Sequence, residues 1–222
     1  MAQLVLDLGH RPALGREHFL VAPSNEAAVG WLDRWPDWPA PALLVHGPPG
    51  CGKSHLVEAW RARSGASVER DPARLGEARV RVLALDDADR MSERDLLHLY
   101  NIVAEARGQV LLTAPRPPAL WEVRLPDLRS RLLAAPSVAI GAPDDALLGA
   151  VLVKLFADRQ LQVGAEVIDW LLRRIERSFA GARDAVARLD AAALVLKRPV
   201  TVPLAREVLG EAQSTPNSAG VT

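Results

Sequence analysis

Residues 47–54 read GPPGCGKS. Glycine, four residues, glycine, lysine and serine make the G-x-x-x-x-G-K-[ST] pattern. The context suits the chemistry, with the apolar run ALLVH before it and the helix-spaced SHLVEAWRAR after it. Glycines let the backbone curl so that amide N–H groups point at phosphate oxygens. A helix starting at that point adds partial positive charge. The candidate phosphate-binding set is therefore Gly47, Pro48, Pro49, Gly50, Cys51, Gly52, Lys53 and Ser54. Lys53 is expected between the β- and γ-phosphates, and the Ser54 hydroxyl on Mg²⁺.

A second group of residues completes such a site. VLALDDAD is an apolar run ending in carboxylates. Asp86 falls where a strand should end, placed to bind Mg²⁺ through water, and Asp87 follows it, placed to orient an attacking water. Many ATPases carry Glu at the second position. Asp is one methylene shorter, so slow hydrolysis is expected. Thr113 ends the apolar run in LLTAP, and strand C-terminal ends line the ligand crevice of a parallel sheet. Its hydroxyl has two readings: sensing the γ-phosphate or attacking water, or satisfying local backbone. Positive charge opposite the γ-phosphate must come from arginine. LPDLRSRL supplies Arg129 and Arg131, and GARDAVARLD supplies Arg183. An arginine finger is worth about 10³–10⁵ in rate, or roughly 4–7 kcal/mol of barrier. Spacing leaves both uses open, Arg183 closing on nucleotide in cis and Arg131 facing a neighbouring subunit.

The elements that must position these residues follow from periodicity. ALLVHG, RVRVLALDDAD, QVLLTAP and PSVAIGAP read as strands, separated by helical stretches. These are SNEAAVGWLDRW with Ser24 as N-cap, SHLVEAWRAR, ERDLLHLYNIVAEARG closed by Gly108, and DLRSRLLAA. Short apolar strands alternating with helices predict an α/β core with a parallel sheet covered on both faces. After Pro143 the runs are helical only. They are DDALLGAVLVKLFADRQ, AEVIDWLLRRIERS, GARDAVARLDAAALVLKR and VPLAREVLGEA. The expected layout is a leader over 1–12, a nucleotide-binding core over 13–142, a small all-helical unit over 143–213 and a polar tail over 214–222.

Composition narrows the function. The chain has 222 residues, 49% of them hydrophobic, enough for a packed core. With 27 basic and 27 acidic side chains its formal charge is zero, which argues against a surface that lives on DNA directly. No apolar run reaches the roughly 18 residues of a membrane span, and no secretory signal opens the chain. Its one cysteine, Cys51, fits a reducing cytoplasm. The tryptophans read as packing residues.

The order SNEAA, GPPGCGKSHL, LALDDAD, HLYN, LLTAPRPP, LPDLRSRL, GARDAVARLD resembles the AAA+ module of the replication initiator DnaA, and most of all the smaller DnaA-related regulators of the Hda family. The likeness spans about residues 3–212. It implies an AAA+ P-loop NTPase core with a helical lid, binding ATP or ADP with Mg²⁺ between the two. It adds His55 to the nucleotide-binding set, places the arginine finger on Arg131 and the lid arginine on Arg183, and makes Asp-Asp the family's usual acidic pair. DnaA has a further N-terminal domain and a basic helix-turn-helix domain. The neutral charge and polar tail lead us to expect leader, core and lid instead.

The resemblance also bears on QLVLDL at the N-terminus. Alone, six alternating residues suggest an edge strand packed on the core. Hda-like proteins carry a Q-L-x-L-x-L peptide that docks on the β sliding clamp, and Gln3, Leu4, Leu6 and Leu8 match it. Leucines would fill a pocket while Gln3 sets register, with affinity around micromolar. The implied function is regulation of replication initiation. The clamp brings the protein to DNA indirectly, and Arg131 completes the ATP site of DnaA, which hydrolyses its ATP and becomes inactive. The chain's own turnover is then weak or nil. Two alternatives stand beside it. One is a stand-alone P-loop ATPase or phosphotransferase, with Arg173, Arg174 and Arg177 as lid cations. The other is a self-assembling AAA+ loader. A homodimer through the Arg131 face also stays open.

Overall fold

The computed structural model describes residues 20–74 and 80–210. The peptide at Gln3–Leu8 and the polar tail lie outside the described residues. The chain divides into two compact units between Ala142 and Pro143.

The first unit is built on four short strands: β1 Ala42–His46, β2 Val82–Leu85, β3 Gln109–Ala114 and β4 Ser137–Ala139. They form one sheet in the order β2-β3-β1-β4, every pair parallel. β1, β2 and β3 are apolar runs buried on both faces, while β4, at the sheet's edge, buries only Val138. Alternation along β1 sorts its side chains between two cores. Leu43 and Val45 pack with Ala28, Val29 and Leu32 of helix α1 (Glu26–Asp33) and with Leu56, Val57 and Trp60 of α2 (Lys53–Ser64). Ala42 and Leu44 pack on the other side with Leu96, Leu99 and Val103 of α3 (Glu93–Glu105) and Leu128 and Leu132 of α4 (Pro126–Ala134). Trp60 is fully buried, stacked on Trp38 at 5.5 Å and met edge-on by Trp35 at 6.0 Å, so these indoles are core.

Three local readings change. The N-cap of α1 is Asn25, not Ser24. Asn25 is buried. Its Oδ1 accepts from the Ala22 amide at 2.9 Å and its Nδ2 donates to Leu20 O at 3.0 Å. Ser24 instead gives its carbonyl to the Gly141 amide at 2.8 Å, tying α1 to the chain after β4. At the end of α3, Arg107 takes the left-handed conformation (φ 51°), and Gly108 donates to Val103 O at 2.8 Å. That is the paired bonding of a Schellman stop with arginine in glycine's usual place. Gly108 is needed for room instead, because a Cβ there would lie 2.0 Å from Arg81 O. Finally, Ser67 forms a single parallel bridge beside β2, its amide on Val82 O at 2.9 Å and its carbonyl taking the Ala84 amide at 2.8 Å.

The second unit is helical: α5 Asp145–Asp158, α6 Ala165–Leu172, α7 Phe179–Leu196 and α8 Val202–Gly210. Leu148, Leu152, Phe156, Val167, Leu171, Val186, Leu189 and Leu204 form its core. Asp144 caps α5 by accepting from the Leu147 amide at 2.8 Å. Ser178 caps α7 by accepting from the Gly181 amide at 2.9 Å. The helix expected over AEVIDWLLRRIERS stops at Leu172, and Ser178 stands as the cap of α7. No helix among the described residues is long and apolar enough to cross a membrane.

Two glycine substitutions should separate room from propensity. Gly108→Ala forces the α3–β3 turn apart and should cost about 1–3 kcal/mol. Gly30→Ala, on α1 with nothing within 4 Å of the new methyl, should stabilise by roughly 0.5–1 kcal/mol. Urea unfolding midpoints of the two variants, expected to move in opposite directions, check both.

Candidate functional site

In a parallel sheet all strand C-termini reach one edge, so β1, β2 and β3 deliver Gly47, Asp86 and Thr113 to a common rim. Gly47 is wedged there. Its amide donates to Ala114 O at 3.2 Å, and a Cβ would lie 2.2 Å from Ile140 O. Gly50 and Gly52 take positive φ, 73° and 104°, which closes the loop. Pro48 and Pro49 are exposed at its bend. Gly52 is the N-cap of α2 and offers no side chain, and the first turn of α2 holds no acidic residue. The first amides of that helix are therefore left for an anion.

Lys53 is 7% exposed and carries its charge inside the loop, Nζ donating to Gly47 O at 2.8 Å and Pro48 O at 3.0 Å. Both partners are neutral carbonyls, so the ammonium keeps an uncompensated charge suited to phosphate. Cys51 is buried with Sγ 4.0 Å from Nζ. Burial pushes its thiol pKa up more than the neighbouring ammonium pulls it down, so Cys51 is a protonated packing group. Ser54 and His55 lie exposed on the first turn of α2.

Thr113 is wholly buried, and its hydroxyl holds the Asp86 carboxylate and the Asp87 backbone. Oγ1 donates to Asp86 Oδ1 and accepts from the Asp87 amide at 3.1 Å. The hydroxyl thus ties the end of β3 to the turn after β2. Asp87 takes the left-handed conformation (φ 51°), which short polar side chains tolerate, and faces Arg90 at 3.8 Å. Arg70 donates to Asp86 O from beside the Ser67 bridge. His46, the last residue of β1, is half-buried, and burial lowers its pKa. Neither Arg70 nor His46 stood out in the sequence, since no motif marks them. Among the described residues no cluster of three or more His, Cys, Asp or Glu could hold a metal. Mg²⁺ takes one or two protein oxygens and completes its shell with phosphates and water. Ser54 and Asp86 would hold it here.

Arg131 sits on α4. Its Nε donates to Asp127 Oδ1 at 3.0 Å, and its guanidinium lies 5.4 Å from the ring centre of Tyr100 on α3. The Asp127 carboxylate raises its pKa, and the side chain remains 35% exposed, so the charge is accessible from outside the subunit. Arg129 is exposed on the same helix. Tyr100 falls in the HLYN segment and was not assigned a role from the sequence. In the helical unit Arg183 is exposed on α7 and makes no ion pair with another described residue. Arg174 lies over Trp170 at 4.5 Å, and Arg177 meets Asp145 at 3.0 Å.

A phosphate loop leaving the central strand of a parallel sheet, an acidic pair on the next strand but one and an all-helical companion unit define an AAA+ P-loop module. Comparison with known proteins agrees. The family model described as "Hda, lid domain" matches residues 145–209. The DnaA of Thermomicrobium roseum is 25% identical over 236 residues, which covers 91% of this chain and 50% of that protein. The chain spans about half the length of the curated relatives it matches. Domain III of Thermotoga maritima DnaA superposes with a TM-score of 0.72 at 18% identity, covering 87% of this chain and 94% of that one. DnaA of Aquifex aeolicus bound to AMPPCP superposes at 0.61 with 20% identity, covering 81% and 66%. The chain is thus similar to DnaA along most of its length, and its residues 145–209 match the lid of Hda.

Two substitutions test this rim. Thr113→Val strands the Asp87 amide and one lone pair of Asp86, and should cost about 1–3 kcal/mol. Thr113→Ser, which keeps the hydroxyl, should recover most of that in the same denaturant titration. For His46 the folded state disfavours the proton, so the unfolded chain binds it more readily. The stability of the fold should be full above the ordinary histidine value of about 6.5 and decline as pH falls toward the lower folded value. His46→Gln should flatten that part of the stability-versus-pH curve.

Proposed function

We propose that this chain is a cytoplasmic regulator of DNA replication initiation. It binds adenine nucleotide, ATP or ADP with Mg²⁺, on the 47–54 loop, docks on the β sliding clamp through Gln3, Leu4, Leu6 and Leu8, and stimulates ATP hydrolysis by DnaA through Arg131. The observation that carries this reading is Arg131 itself: charged, braced by Asp127 and Tyr100, and open to an outside molecule. The lid match and the AMPPCP held by the Aquifex DnaA support nucleotide binding. The nucleotide supplies the phosphates, and the residues supply their setting. Lys53 and the amides of α2 hold phosphate oxygens. Ser54 and Asp86 hold Mg²⁺. Asp87 orients water, with Thr113 holding the Asp86 carboxylate and the Asp87 backbone amide. Arg183 takes the lid-arginine role that its motif implies.

A phosphotransferase would draw on Arg173, Arg174 and Arg177. In the helical unit Arg174 lies over Trp170 and Arg177 meets Asp145.

With DnaA–ATP and clamp loaded on DNA, Arg131→Ala should lower the stimulated hydrolysis rate by about 10³ or to the basal level. Arg131→Lys should not restore it, because a planar fork is replaced by a point charge. Clamp pull-down should be unchanged in both variants and lost on removal of residues 1–9. Full stimulation by Arg131→Ala would sink the reading.

A further inference from the structure

Helix α4, which carries Arg131, has no cap of its own. It starts at Pro126, and the residue at its N-cap is Leu125, whose side chain accepts nothing. The acceptor comes from the first residue of α3. The Glu93 carboxylate takes the Arg124 amide on its two oxygens at 3.0 and 3.1 Å, and Oε2 also takes the Leu125 amide at 2.7 Å. These charge-assisted bonds hold the Glu93 pKa below the usual carboxylate range. Two turns further along the same helix, Tyr100 lies against the Arg131 guanidinium. Helix α3 thus grips α4 twice, once by backbone at its entry and once by the arginine itself.

We propose that Glu93 is a positioning residue for Arg131. Its carboxylate fixes where α4 begins, and so where the guanidinium six residues into that helix can reach. This rests on the reading of Arg131 given above. Glu93 does not touch nucleotide or the reacting atoms. It acts through the backbone at the entry of α4, beside the packing of Leu128 and Leu132 that holds the helix body.

The test uses the full chain, DnaA–ATP and clamp loaded on DNA, with hydrolysis measured against chain concentration. Glu93→Ala should lower the maximal stimulated rate about 10–100-fold, the scale of a misplacement of about 1 Å. The half-saturating concentration should stay within about twofold, since complex formation is untouched. Glu93→Gln retains one amide-accepting oxygen and should recover much of the rate, and it is the variant read if Glu93→Ala does not fold. The double variant Glu93→Ala/Arg131→Ala should be no slower than Arg131→Ala alone. Three results overturn the inference. Full stimulation by Glu93→Ala beside a dead Arg131→Ala removes Glu93 and leaves the finger. A loss confined to half-saturation, or one that adds to that of Arg131→Ala, makes Glu93 merely structural. Full stimulation by Arg131→Ala removes the finger, and the positioning role goes with it.

Discussion

The nucleotide-facing rim depends on a glycine with no space for anything larger. Gly47 lies where the chain after β4 crosses the end of β1, with Ile140 O in the place a Cβ would take. Around it Ile140 donates to His46 O at 2.7 Å, and Gly47 donates to Ala114 O. Three strands therefore close on one residue that lacks a side chain. That close approach puts the 47–54 loop, the Asp86–Asp87 turn and Thr113 on one edge. A side chain at Gly47 would push the loop off the strand ends and with it the first turn of α2.

The cations that matter are handled in two ways. Lys53 is buried with only neutral partners, two carbonyls and the Cys51 thiol, an arrangement that leaves its charge to act on whatever anion enters the loop. Arg131 is half out of the surface and already has a carboxylate and an aromatic face beside it. The first arrangement suits permanent electrostatic binding. The second suits a group that is held ready and then shared with another molecule, because the rest position costs little to leave. A partly exposed ion pair of this kind is worth about 1 kcal/mol or less.

Most of the architecture was legible from local pattern. Apolar runs bounded by Pro and Gly marked β1, β3 and β4, one ending in carboxylates marked β2, and the change of period after Pro143 marked the helices that follow. The P-loop was legible because its chemistry constrains adjacent residues. What escaped was set by distant partners. The Ser67 bridge hides in the polar stretch GASVER and consists of one residue pair. Asn25 displaced Ser24 because its amide has two backbone partners at Leu20 and Ala22, a choice no propensity encodes. Glu93 looked like any acidic first-turn residue, and its use 31 and 32 residues later becomes visible only when α3 and α4 are side by side. The docking peptide at Gln3–Leu8 rests on sequence alone.

The two rims of the sheet carry a further consequence. β4 is only three residues long, and the outer side of β2 is engaged by Ser67 at one point. An open edge strand invites another chain to extend the ladder, and a very short or partly covered one declines it. If copies of this protein meet each other or a relative, the join is thus cast in side chains, where single substitutions can make or abolish a partner, and not in main-chain bonds that accept any sequence.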